Sequence, residues 1–294
     1  MKSKLKIPLI ILVSFLGITC TAKNNNPIIR KQYNYIIVLD LSDRLLVQDQ
    51  WKVDTCLIAN AFQTFITKVK KELTYINATD CSFKVKIPRY NGLNQNLSNY
   101  QDKLELNLTD SRVNASNVNN FNSSLHSTLE QLYKTVLKGK LVSSNFKGTD
   151  IWSFFNSDLK YSLLEKQNVE NRILVITDGY FDLETNMPIK KDGSLSSTSN
   201  TFFSYLRKSD LTQQETVLSQ KKKGLIPVNI TQLKASKIGV VEFNSKFQNN
   251  LLEIEMLQLN WKYWMINSGV SQPIQMRPKE SMNSSKQFVI DFFK

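Results

Sequence analysis

Tyr35-Ile36-Ile37-Val38-Leu39-Asp40-Leu41-Ser42-Asp43-Arg44 is a continuous apolar run, rich in β-branched residues, that stops on an acid and a hydroxyl. This is the pattern of a central parallel strand, because such a strand has both faces covered by helices and cannot alternate apolar with polar. Asp40 and Ser42 then stand at its C-terminal tip. In open α/β sheets, ligands settle in the crevice beyond the carboxyl ends of the strands, so the functional residues belong at that edge.

Two further segments carry short oxygen side chains to strand or helix ends. Gly148-Thr149-Asp150 precedes a helical pattern with Ile151, Phe154, Phe155 and Leu159 on one face, and Ile173-Leu174-Val175-Ile176-Thr177-Asp178-Gly179 is a second buried run ending on an acid. Taken singly, each has an ordinary reading: Thr149 as a helix N-cap, Asp178-Gly179 as a turn. Taken in order, the three segments resemble the metal-site motifs of von Willebrand factor A (vWA) domains. Asp40-Leu41-Ser42-Asp43-Arg44 is similar to the Asp-x-Ser-x-Ser motif, Thr149 to the single metal-site threonine, and Asp178 to the metal-site aspartate. The resemblance covers roughly residues 33–294. It implies a doubly wound, mostly parallel Rossmann-like α/β sheet with helices on both faces and an antiparallel edge strand.

The resemblance also implies a metal-ion-dependent adhesion site (MIDAS). In that family, serines and the threonine ligate magnesium directly, the aspartates act mainly through water, and an acidic residue of a protein partner completes the octahedron. Hard oxygen donors on three strand-edge loops suit magnesium. Carried over by position, the metal set is Asp40, Ser42, Thr149 and Asp178. Arg44 stands where the second serine belongs, which removes one ligand and adds a cation. Asp43 is placed to offset that charge. Three courses are open to Arg44: to swing away, or to pair with Asp40 or with Asp178 in place of the ion.

Ahead of this region, residues 1–20 have a lysine-dotted start, an apolar run from Ile7 to Ile18 and a small residue before Cys20. That is a secretory signal peptide, too short for an ordinary transmembrane span. Leu16-Gly17-Ile18-Thr19-Cys20 resembles a lipobox, with Cys20 as the acylated residue and 21–32 as a polar tether, as in lipoproteins of the Bacteroidetes. The expected location is the cell envelope, lipid-anchored in the outer membrane, periplasm or surface. The 294 residues carry a net charge of +13, and +10 once Lys2, Lys4 and Lys6 of the leader are set aside. With a leader present, the expected counter-charge is anionic lipid headgroups or lipopolysaccharide rather than nucleic acid. Cys56 and Cys81 are too few for a disulfide framework, and the helix between them holds them ~25 Å apart, so both read as buried free thiols.

Along the body, Trp51–Leu73 reads as a helix with Ile58, Phe62, Phe65, Ile66 and Val69 on its apolar stripe. Ser82–Ile87 alternates as a strand with one polar face, and Leu104–Leu108 fits as its antiparallel neighbour across turn chemistry at Asn91–Asn94. Asn117–Lys138 is a second amphipathic helix. It carries His126, the only histidine, off the apolar stripe and facing solvent. Residues 180–236 form an insertion too long for an ordinary connection. Phe181–Ile189 reads there as a hairpin arm, Ser194–Asn200 as a flexible tract and Thr201–Lys222 as a helix, the whole overhanging the site. Lys237–Phe243 is the last inner strand and Lys246–Asn267 a long helix whose Trp261, Tyr263 and Trp264 pack as core. Phe288–Ile290 reads as a closing strand or the start of a terminal helix.

Three functions follow. The first is an extracytoplasmic, membrane-tethered binding module that recognises a protein partner through the crevice. The second is a metal-free scaffold with the site closed by Arg44. The third is a metal-dependent hydrolase, against which stand the absence of an Asp-x-Asp phosphatase motif, of a Gly-x-Ser-x-Gly elbow and of a phosphate-cradling glycine loop. No enzyme is expected.

Overall fold

The computed structural model describes residues 30–89, 97–142, 148–181, 190–191, 195–247 and 250–294. The leader with Cys20, nearly all of the tether, the Asn91–Asn94 turn and most of the 181–189 arm lie outside the described residues, as does part of the 194–200 tract. In chain order the main elements are β1 (Gln32–Leu39), α1 (Gln50–Glu72), β2 (Cys81–Lys86), β3 (Glu105–Leu108), α2 (Ser111–Val142), β4 (Val169–Ile176), β5 (Lys190–Lys191), β6 (Leu195–Ser196), α3 (Asn200–Leu206), α4 (Leu211–Ser219), β7 (Gly224–Leu225), β8 (Lys237–Phe243), α5 (Leu251–Asn267), β9 (Gln275–Pro278) and α6 (Met282–Phe293).

Six strands form one sheet in the order β3-β2-β1-β4-β8-β9. Every pairing in it is parallel except β2 with β3, which closes one edge antiparallel. β1 is the axis of the fold. Its alternate residues feed two cores: Tyr33, Tyr35, Ile37 and Leu39 pack with α1, α2 and α6, and Ile36 and Val38 pack with the 151–163 segment and α5. The doubly wound α/β class expected from the apolar runs is therefore the observed one. The α1 stripe buries Leu57, Ile58, Ala61, Phe62, Phe65, Ile66 and Val69. Each fully buried Phe there contributes about 1.5–3 kcal/mol of transfer free energy.

Several local expectations need correction. The face of β2 that reads as polar is covered, with Lys84 only 7% exposed and its ammonium donating to the Ser162 carbonyl at 3.1 Å. The helix expected over 201–222 is two helices, parted at Arg207–Asp210, where the Asp210 carboxylate caps α4 by accepting from the Gln213 backbone N–H at 2.8 Å. Of the two readings of Phe288–Ile290, the terminal helix is the observed one, since these residues lie inside α6; the closing strand is β9, a half-exposed edge strand with no apolar run to announce it. Cys56 and Cys81 are unpaired as expected, but Cys56 is only partly buried. Trp261 and Trp264 are core, and His126 is exposed.

The insertion opens with its own small sheet, β5-β6-β7, and its helix α4 packs along α5. None of its described residues lines the cleft beside Asp178, so the expected overhang is not what the described part forms. It buttresses α5 from the side: Arg207 forks onto the Glu253 carboxylate at 2.7 and 3.1 Å, and Tyr180 donates to the same group at 2.8 Å.

Candidate functional site

The strand order reverses between β1 and β4, and the two acids singled out by the sequence lie at that switch point. The backbone ladder continues past both strands, with Asp40 N–H donating to the Ile176 carbonyl at 3.1 Å and Thr177 N–H to Val241 at 3.1 Å. Asp40 is thereby held level with Thr177, whose hydroxyl donates to Asp40 Oδ2 at 2.7 Å. The other Asp40 oxygen accepts the Ser42 N–H at 2.8 Å, which fixes the turn that carries Ser42. Asp40 and Ser42 are 1% and 8% exposed.

Asp178 follows one residue later and is also buried. Its carboxylate accepts the Tyr180 N–H at 3.2 Å, and its carbonyl takes Asn244 N–H at 3.1 Å. Gly179 makes this corner possible. Its φ of +99° is left-handed, and an added Cβ would sit 2.5 Å from the Phe243 ring. The Gly179 carbonyl is in turn the acceptor for the Trp261 indole at 3.0 Å, which pins the corner to α5.

Thr149 reaches the same edge from the β2 side, since its neighbour Asp150 donates its N–H to the Arg89 carbonyl just beyond β2 at 2.9 Å. Its ordinary reading as the helix N-cap is overturned. Asp150 caps instead, its carboxylate accepting from Ser153 N–H at 2.9 Å. Thr149 is left 4% exposed, with a buried Oγ1 that has no hydrogen-bond partner among the described residues. Such a group costs about 1–3 kcal/mol relative to one that is bonded, so it is a position that a ligand would satisfy.

Arg44 takes the first of the three courses open to it. Its guanidinium turns to α1 and pairs with Asp54 at 2.8 Å, making no hydrogen bond to Asp40 or Asp178. Gln50 and Tyr133 also donate to Asp54, both at 3.0 Å. Burial is the largest influence on Asp54 and raises its carboxyl to about 6 even with the guanidinium beside it. The charge of Arg44 is thus offset by Asp54 and not by Asp43, which faces Lys246 at 3.2 Å across the cleft mouth.

With Arg44 paired to Asp54, no cation among the described residues is bonded to Asp40 or Asp178. Asp178 is pushed up to about 8, by burial first and by the neighbouring charge of Asp40 second, with Lys246 and Arg44 opposing. Over this edge opens a cleft of about 370 Å³ whose lining includes Asp43, Arg44, Asp178, Glu242, Lys246 and Lys279. Glu242 sits at a bulge of β8 with φ +78°, a conformation costing a non-glycine residue ~1–2 kcal/mol. Its carboxylate is held there by Gln50 Nε2 at 3.2 Å and by Ser285 of α6.

Sequence reasoning missed Asp54, Gln50 and Glu242. A signal existed: Asp54 lies one turn before Ile58 on the apolar stripe of α1, and an acid on such a stripe demands a buried partner. Glu242 similarly interrupts the run from Ile238 to Phe243. Among the described residues no three His, Cys, Asp or Glu side chains gather as a metal cluster.

No family model and no curated protein matches the chain. Among solved structures it is similar to an aerotolerance-related membrane protein from Bacteroides fragilis, at 13% identity and a TM-score of 0.37, covering 90% of this chain and 98% of that one. It is likewise similar to the conserved hypothetical protein BatB from Bacteroides thetaiotaomicron, at 13% identity and a TM-score of 0.36, covering 89% and 98%.

Proposed function

We propose that the protein is an envelope-anchored binding module whose strand-edge cleft holds a divalent cation and recognises a protein partner through it. The observation that carries the reading is the state of the edge itself. Two buried carboxylates, Asp40 and Asp178, lie at the switch point with no bonded cation among the described residues, beside a buried threonine hydroxyl that finds no hydrogen-bond partner among them. Two like charges in a low-dielectric site destabilise one another unless a proton or a cation intervenes.

The donors fit magnesium or manganese: all are hard oxygens on three loops, and neither histidine nor thiolate is among them. Asp40, Ser42, Thr149 and Asp178 would hold the ion. Bound there, it supplies a positive charge and open coordination positions that an acidic group of a partner fills. Arg44 stands where the resembling vWA motif has a further serine, so one more position falls to water or to the partner. The pairing of Arg44 with Asp54 counts against the scaffold reading, in which that arginine closes the site.

Attachment to the envelope rests on the leader and Cys20. Among the described residues no helix is long and apolar enough to cross a membrane.

The test is a melting curve of the chelator-treated protein with and without magnesium or manganese, beside Asp178→Ala. A ligand that binds only the folded state stabilises it by ~2.7 kcal/mol at a hundred times its dissociation constant. A metal-dependent rise that Asp178→Ala loses is the expected result. A wild type indifferent to both ions would overturn the cation reading.

A further inference from the structure

We propose that the end of the sheet opposite the cleft, where the chain enters β1, is a membrane-docking face that takes the headgroups of an anionic bilayer. This deepens the envelope-anchored reading and rests on it. Arg30, exposed, is the residue from which the chain passes into β1, and Cys20 lies ten residues before it, a reach of at most ~35 Å. A lipid on Cys20 therefore attaches to this end. The cleft lies at the far end of an eight-residue strand, ~26 Å further on.

The chemistry of this end is that of an interfacial surface. Arg30, Lys70, Lys71, Lys160 and Lys234 are exposed there and have no carboxylate partner among the described residues. Most nearby acids are already engaged: Glu170 with Lys31 and Lys237, Asp80 with Lys166, and Asp110 with Arg112, while Glu165 accepts from the neutral Gln232 and offsets one of the five. The surplus is positive.

Between the cations stand exposed apolar side chains. Ile76 is 72%, Tyr161 79% and Val113 45% exposed. Hydrogen bonds fix all three around the entry to β1. The Asn77 carbonyl, next to Ile76, accepts from Gln32 at 2.9 Å, and Asn114, next to Val113, donates to the Tyr75 carbonyl at 3.0 Å. The Ser162 carbonyl, next to Tyr161, accepts from Asn34 at 2.8 Å. Apolar and aromatic tips ringed by long basic side chains suit a headgroup layer, where the tips enter and the ammonium groups stay at the anionic surface. With this end on the bilayer, the cleft faces outward.

The test uses the full-length lipidated chain on vesicles of phosphatidylcholine, alone or mixed with phosphatidylglycerol. A polarity-sensitive dye is placed on Ile76→Cys or Val47→Cys, each in a Cys56→Ala background, and headgroup-quencher lipids are added. On mixed vesicles the dye at 76 is expected to be quenched and the dye at 47, beside the cleft, is not. High salt or the triple change Lys70→Glu, Lys71→Glu, Lys160→Glu weakens the quenching about tenfold or more. Flotation with neutral vesicles reports the anchor separately. Protein that floats with its two dyes equally exposed overturns the docking face, keeps the anchor, and leaves this end to a protein partner. Protein that does not float on neutral vesicles but is quenched at 76 on mixed ones overturns the anchor and keeps the face.

Discussion

The two ends of the sheet handle charge in opposite ways. At the entry to β1, Glu170 lies among Lys31, Arg172 and Lys237, and the hydrogen bond from Lys31 with the charge of Arg172 outweighs burial and holds its carboxyl down at about 2. At the C-terminal edge, Asp178 lies beside Asp40, and the guanidinium of Arg44 nearby is committed to Asp54. The same residue types, lysine, arginine and carboxylate, are present at both ends. Glu170 is a carboxylate that cations of the chain itself balance. Asp40 and Asp178, at the strand-order switch point, are the two for which a cation is proposed.

That contrast is most sharply tested by deleting one cation at each end. Arg44→Ala leaves Asp54 buried and uncompensated, and breaking such a pair costs about 3–5 kcal/mol. Lys166→Ala removes the partner of Asp80, but this lysine is 55% exposed, and a surface pair is worth at most ~1 kcal/mol. Urea titrations of the two variants should therefore differ severalfold in lost stability. Equal losses would mean that the Arg44–Asp54 pair is not the buried support of the cleft.

A smaller effect separates ligand from architecture. Thr149→Val removes a buried hydroxyl with no partner among the described residues while keeping the shape of the side chain. In chelator the variant should be more stable than the wild type by about 1 kcal/mol, because an unsatisfied polar group is gone. In magnesium the order should reverse, since a donor to the ion is gone too. A Thr149→Val protein that gains as much from magnesium as the wild type removes Thr149 from the cation site.

How much of this was legible in the sequence varies with the physics of each element. β1, β4 and β8 were readable because strands covered on both faces cannot alternate, and α1 because its stripe repeats for several turns. β9 was not, since an edge strand half open to solvent needs no apolar run. Asp40, Ser42 and Asp178 were placed at the edge by the strands that carry them. The role of Thr149 was ambiguous because Thr149 and Asp150 are both capping types, and only the geometry shows that Asp150 takes the cap. The partner of Arg44 was hidden ten residues on, because a one-dimensional pattern does not tell which acid on a helix stripe meets which base on the preceding loop.

The smallest expected effects are slopes of stability against pH, and they carry opposite signs at the two ends. A carboxyl raised in the folded state stabilises it below the ordinary value of 3.8, and that contribution is lost as pH rises through the folded value, about 8 for Asp178. A carboxyl lowered in the folded state stabilises it above the ordinary value of 4.5, and the contribution is lost as pH falls toward about 2 for Glu170. Chelator-treated protein should thus lose urea resistance along an alkaline limb that Asp178→Asn flattens. It should also lose it along an acid limb that Glu170→Gln flattens. Glu170 is partly open to solvent, so its limb is the shallower. Magnesium should flatten the alkaline limb alone, because an ion between Asp40 and Asp178 does the work of the proton and has no counterpart beside Glu170. An alkaline limb that persists unchanged in saturating magnesium would place the ion, if it binds, away from Asp178, and the contrast between the two ends would then rest on Arg44 and Asp54 alone.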